Sequence, residues 1–256
     1  VRLDAQVALV DRSRFVYPWM AQSSDHMHRD FTHADLWRIL ERNKYEGAIA
    51  VAALGDPAEV DWLLDLAAGE APWIAGVVAG GIEPRWLTHH RLAGVHIRPS
   101  CGGALLQAAA GTGKCIDLRA TAEESQEAFR LARSAEDARI AIVPEGAPVW
   151  DPSPWRTFAS LPGVMVKICG LISQTGATGW HASTFRPFVQ ALLEWFGPDR
   201  VMYGSDWPYC MHTGTWKESL AAFTQALGAQ PIEVRSLILG DNAARQYLKK
   251  RPQPTP

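Results

Sequence analysis

The chain has 256 residues, with 25 Lys plus Arg against 27 Asp plus Glu, and its formal charge of −2 excludes the basic surface of a nucleic-acid binder. Its four cysteines (Cys101, Cys115, Cys169 and Cys210) are scattered, with no C-x-x-C pair, as expected of reduced thiols in a cytoplasmic protein. VRLDAQ at the start lacks the basic-then-apolar order of a leader, and no apolar run approaches the ~18 residues of a membrane span.

In chain order, short β-rich runs alternate with helical patterns, which argues for parallel β/α units. Strands are expected over 2–10, 47–54, 73–80, 93–98, 114–119, 139–143, 164–168 and 200–204. Helices are expected over 34–44, 58–69, 122–134 and 185–197, the third opening with Thr121 and Glu124 at capping-box spacing. After the third strand only EPRWLTHH follows, with no clear helix. Eight strands in a chain near the typical ~250 residues predict a single (β/α)8 TIM barrel over 1–250, with the Pro-rich 251–256 as a disordered tail. A doubly wound sheet would need a phosphate loop. GTGKC (111–115) lacks the earlier glycine of that motif and precedes a strand, and neither G-x-G-x-x-G nor G-x-S-x-G occurs in the right context.

In a barrel the chemistry sits where strands end, so polar residues there are the candidates. Asp206 follows strand eight, Lys167 and Cys169 end strand seven, and Glu145 follows strand six. Asp117 and Arg119 end strand five, His96 and Arg98 end strand four, and strand one offers Asp4 and Gln6, which share a face under the period-two rule. Arg98 and Arg119 suit a substrate carboxylate, since a guanidinium fork binds it in bidentate fashion; equally, each suits a structural pairing with Asp117 or Glu145. His96 and His212 are imidazole candidates for substrate contact. Among the eleven tryptophans, Trp19, Trp207 and Trp216 fall near loops and could wall a pocket, whereas Trp37, Trp62 and Trp195 sit at helical spacing and read as core.

YGSDWP (203–208) resembles the hallmark of the amidohydrolase-related family that includes sugar-acid lactonases and the pyrone-dicarboxylate lactonase. FVYPWM (15–20), RDFTHADL (29–36), VMVKICGL (164–171), FGPDR (196–200) and GDNAARQYL (240–248) resemble it in the same order. The resemblance implies a distorted (β/α)8 barrel like those of metal-dependent hydrolases, with an aspartate after strand eight handling the proton of the attacking water. Asp206 occupies that position.

The chain departs from the family where imidazoles are expected. Strand one usually carries His-x-His able to hold a divalent metal; LDAQVALVD places Gln6 and Ala8 there, and RIAIVPEGAP lacks the histidine after strand six. A metal-free member without cofactor is the expectation. His26 and His28 form a His-x-His in the loop after strand one, which leaves open a relocated metal site, a substrate contact by His28, or simple exposure. Two functional readings follow. One is a metal-independent hydrolase opening a lactone, with Asp206 as base, Lys167 and His96 assisting, and Arg98, Arg119, Gln6, Trp19, His28, Trp207 and His212 contacting the substrate. The other is a barrel turned to a non-hydrolytic step or to binding alone. Either has a small molecule as its partner and involves no nucleic acid or membrane; the oligomeric state stays open.

Overall fold

The computed structural model describes residues 1–145, 151–173, 175 and 180–248; the expected tail at 251–256 lies outside them. Eight parallel strands pair in sequence order: β1 Leu3–Val7, β2 Gly47–Val51, β3 Ile74–Ala79, β4 Leu92–Ile97, β5 Cys115–Ala120, β6 Ile140–Pro144, β7 Val164–Ile168 and β8 Val201–Tyr203. All eight expected strands are present. Helices α1 His33–Arg42, α2 Pro57–Ala68, α3 Pro84–Leu87, α4 Gly102–Gly111, α5 Ser125–Arg133, α6 Ala182–Phe196, α7 Trp216–Leu227, α8 Ile232–Ser236 and α9 Asn242–Leu248 lie among the described residues, together with short 3-10 segments such as Ser153–Ser160 and Tyr209–His212 and a π-helical turn at Leu237–Asp241. None of these is long and apolar enough to cross a membrane.

Local chemistry explains most boundaries. Thr32 and Asp35 close a reciprocal capping box on α1, whose Leu36 and Leu40 are buried. Asp56 caps α2 through the Ala58 amide at 2.9 Å, with Pro57 in the first turn. Thr121 and Glu124 bond reciprocally as expected, but a turn intervenes and α5 begins only at Ser125. Between β3 and β4 the helix shrinks to the single turn of α3. Helix α4 escaped the sequence reading because GGALLQAAAG is small and apolar nearly all round, without the polar and apolar faces that reveal a helix.

The barrel closes where β1 meets the segment after β8. The Ala8 amide donates to the Trp207 carbonyl at 2.6 Å and the Asp206 amide to the Gln6 carbonyl at 3.0 Å. Gly204 permits this approach, for a Cβ there would lie 2.4 Å from the Gln6 Cβ. At the opposite end α9 plugs the barrel: the Asn242 amide donates to the Pro198 and Val201 carbonyls, and Tyr247 is buried against the inward faces of the strands. Arg200 of FGPDR ties the region together by donating to the carbonyls of Ala159, Leu161, Val164 and Phe196.

β1 changes register between Asp4 and Val7, and this overturns the expectation that Asp4 and Gln6 share a face. Asp4 turns away from the barrel mouth, accepting from the Trp216 indole at 2.7 Å and the Ser205 amide at 2.9 Å, while Gln6 faces the mouth. Burial pushes the Asp4 carboxyl above its ordinary range, opposed by the bonds from Ser205 and Trp216. Replacing Gly204 with Ala should cost about 1–3 kcal/mol by overpacking the seam; urea unfolding of the variant measures it.

Candidate active site

The floor of the site is a buried ion pair. Period-two alternation sends Cys115, Asp117 and Arg119 of β5 and Met165 and Lys167 of β7 inward, followed by Cys169 just past β7. Lys167 is fully buried and donates to Asp117 Oδ2 at 2.5 Å and to the Ala5 carbonyl at 3.3 Å. The Tyr247 hydroxyl donates to Asp117 Oδ1 at 2.6 Å, and the Lys167 ammonium lies 5.5 Å from that tyrosine's ring centre. Every charge in this cluster therefore has a partner within the barrel.

Above the floor, at the C-terminal ends of the strands, lies a cavity of about 370 Å³, within the range of small-molecule sites. Asp206 is half-buried in its wall and has φ of 61°, in the left-handed region that aspartate tolerates better than most non-glycine residues. Such a conformation costs about 1–3 kcal/mol and persists only where the surroundings impose it. Here the Asp206 amide is held by Gln6 and its carbonyl by the Cys210 amide at 3.0 Å. The Ser173 hydroxyl donates to Asp206 Oδ2 at 2.7 Å. Burial raises the Asp206 carboxyl to about 6, partly offset by the Ser173 bond and the nearby Arg119 charge. The peptide between Trp207 and Pro208 is cis.

The wall beside Asp206 carries charge in paired form. Glu145 Oε1 accepts from Arg119 and Oε2 from Arg98, while Arg98 also lies 3.8 Å from Glu124. Tyr209 and His212 line the other side, with Trp19 behind them, its ring centre 4.8 Å from Tyr209 and 5.9 Å from His212. Burial and the neighbouring His26 lower the His212 pKa. The third side is the end of β2, Val51 to Ala53. Glu59, buried on α2, anchors it by accepting from the Ala53 and Leu54 amides at 3.2 and 2.7 Å. Desolvation raises Glu59 to about 7. His96 supports the same edge through Nε2, which donates to the Ala52 carbonyl at 3.1 Å, and burial lowers its pKa to about 4, so the imidazole is neutral.

Of the residues singled out by sequence, Asp206, Arg119, Gln6 and His212 meet on the cavity wall, and His96 stands just behind it. Lys167 is not on that wall but in the floor pair, and Arg98 reaches it only through Glu145. Trp19 forms the second row, and Trp207 is buried with its ring edge-on to Phe31 at 5.6 Å. The ring of His26 faces the Met211 carbonyl at 2.9 Å, and His28 is exposed, so the His-x-His does not converge on the cavity. Cys169 lines the cavity as a protonated thiol, its pKa raised by burial and by Asp206. Sequence reasoning missed Ser173, Tyr209 and Glu59. Tyr209 sits three residues after Asp206 and was within reach of the same strand-end argument; Ser173 and Glu59 had no local signal.

A parallel eight-stranded barrel with a carboxylate held open at the end of its last strand is the architecture of the amidohydrolase-type (β/α)8 barrels. The family model described as Amidohydrolase matches residues 27–248, and the chain belongs to that family. An L-fucono-1,5-lactonase from Burkholderia multivorans is 35% identical over 103 residues, a match spanning 38% of this chain and 34% of the relative. A second L-fucono-1,5-lactonase, from Burkholderia ambifaria, is 25% identical over 281 residues and 91% of each chain. Among solved structures, an amidohydrolase from Burkholderia multivorans with bound zinc superposes with a TM-score of 0.81 at 22% identity, covering 97% of this chain and 99% of that one.

The floor pair yields a test of its role. Lys167→Met should cost about 3–5 kcal/mol, because it strands a buried carboxylate, and Lys167→Met/Asp117→Leu should recover part of that loss. Urea unfolding of both variants checks this; an undiminished stability in the single variant would return Lys167 to the list of reacting groups.

Proposed function

We propose that the protein hydrolyses a small lactone, with Asp206 as general base and without a divalent metal. The observation that carries this reading is the Asp206 carboxylate, raised to about 6, open to a cavity of small-molecule size and within the field of Arg119. A base with a pKa just below neutral is ionised at pH 7 and still takes up a proton readily. In the proposed reaction Asp206 removes a proton from a water as the water oxygen attacks the lactone carbonyl carbon. The developing oxyanion is met by Arg119 and by the neutral donors Gln6 and Tyr209 on the same wall. Collapse of the tetrahedral intermediate breaks the ring C–O bond, and the departing alkoxide takes the proton back from Asp206. Ser173 positions the base, while His96 and Glu59 shape the wall through the backbone of residues 52–54.

The L-fucono-1,5-lactonase relatives support a sugar-acid lactone as the substrate class. The donor set supports metal independence. Gln6 and Ala8 stand on the cavity wall at the strand-one positions where the family resemblance implies imidazoles. Asp206 is engaged by Ser173, both Glu145 oxygens are taken by guanidinium groups, and among the described residues no three His, Cys, Asp or Glu side chains converge. Such a set does not fit zinc, which needs three or four N, S or O ligands at one point.

Turnover of a panel of aldono-1,5-lactones by chelator-treated protein tests the reading. Activity should survive chelation, and Asp206→Asn should lower kcat about 100-fold or more. In the wild type, kcat/KM should fall as pH drops below about 6, where Asp206 becomes protonated, and level off above it. Loss of turnover on chelation, restored by zinc, would overturn the metal-free mechanism.

A further inference from the structure

Glu145 occupies the two arginines that a carboxylate ligand would need. It stands one residue beyond β6, on the cavity wall, with Oε1 taken by Arg119 and Oε2 by Arg98. The ionised residues among the described lining are then Arg119 against Glu145 and Asp206, one cation facing two carboxylates. Gln6, Ser173 and Tyr209 supply uncharged hydrogen-bonding groups beside them, and burial and the neighbouring His26 lower the His212 pKa. A ligand carboxylate entering this cavity would meet a guanidinium whose charge is already balanced, and a second carboxylate in Asp206. A ring bearing hydroxyl groups would meet donors and acceptors without that repulsion.

We propose that Glu145 is a specificity-determining residue, an internal carboxylate that stands in for a ligand's and so selects neutral, hydroxyl-rich molecules over anionic ones. The inference rests on the same cavity being the substrate site. Its energetic basis is that arginine and carboxylate form directed, charge-assisted hydrogen bonds, so the internal acid must be displaced or removed before an external one can use the fork. Removing the charge while keeping the shape of the side chain, as Glu145→Gln does, leaves Arg119 as an unbalanced cation on the wall.

Two probes of one carbon skeleton, neutral galactitol and dianionic galactarate, separate charge from shape, and their binding is read by ligand-observed NMR without any need for turnover. The wild type should favour galactitol. Glu145→Gln should shift the galactarate to galactitol affinity ratio by about tenfold or more toward the anion, and added salt should reduce the shift. Glu145→Asp, which keeps the charge, should retain the wild-type preference, and Glu145→Gln/Arg119→Gln should lose the gained galactarate binding. Thermal unfolding of each variant confirms that folded protein is compared. A wild type that binds galactarate as tightly as galactitol, or a ratio unchanged in Glu145→Gln, overturns the inference. Lactone turnover by the wild type is read separately: its absence would sink the hydrolase reading, while the affinity ratio alone decides the role of Glu145.

Discussion

Everything at the mouth of this barrel depends on the hydrogen bonds that join β1 to the segment after β8. The bond from the Asp206 amide to the Gln6 carbonyl closes the sheet and, by the same contact, holds Asp206 in a left-handed conformation. Closure and presentation of the carboxylate are thus one structural event. Gly204 is the enabling residue, since any Cβ would collide with Gln6 and prise the seam apart. Asp4 reinforces the seam from behind by binding the Ser205 amide and the Trp216 indole, so α7 is fastened to the strand that carries the site.

The charged residues fall into two layers with different tasks. In the lower layer Lys167, Asp117 and Tyr247 satisfy one another where water is excluded, and there an unpaired charge would cost far more than a paired one. In the upper layer Glu145 balances Arg119, leaving the Asp206 carboxylate beside a cation that is positioned but already paired. Desolvation raises Asp206, and the Ser173 hydroxyl and Arg119 keep it from rising further. The result is a carboxyl raised to about 6, the range that the proposed role as general base requires.

The family motifs divide along the same line between architecture and chemistry. FGPDR and GDNAARQYL resemble the family because they build the base of the barrel: Arg200 gathers carbonyls from three segments, and Asn242 ties α9 to the start of β8. YGSDWP does both jobs at once, with Gly204 and Ser205 in the seam and Asp206 in the cavity. Gln6 and Ala8, where the resemblance implies imidazoles, join the seam through their backbone, by the Gln6 carbonyl and the Ala8 amide, while both residues line the cavity.

Much of this was legible in the sequence. Buried parallel strands are written as apolar runs bounded by turns, so all eight could be read locally, and Asp206 stood out because a carboxylate after an apolar run has no packing use. The capping pairs of α1 and α2 and the Thr121–Glu124 pair in the turn before α5 are likewise local, resting on residues three or fewer positions apart. The placement of Lys167 below the cavity, the engagement of Arg98 and Arg119 by Glu145, and the meeting of Ser173 with Asp206 were decided only by tertiary structure. Each joins residues 26 to 50 or more positions apart, or depends on which strand-end side chain is one layer deeper than its neighbour. Strand alternation tells which residues point inward; how far down the barrel each one lies follows from the stagger between strands, and that exists only once the sheet has closed.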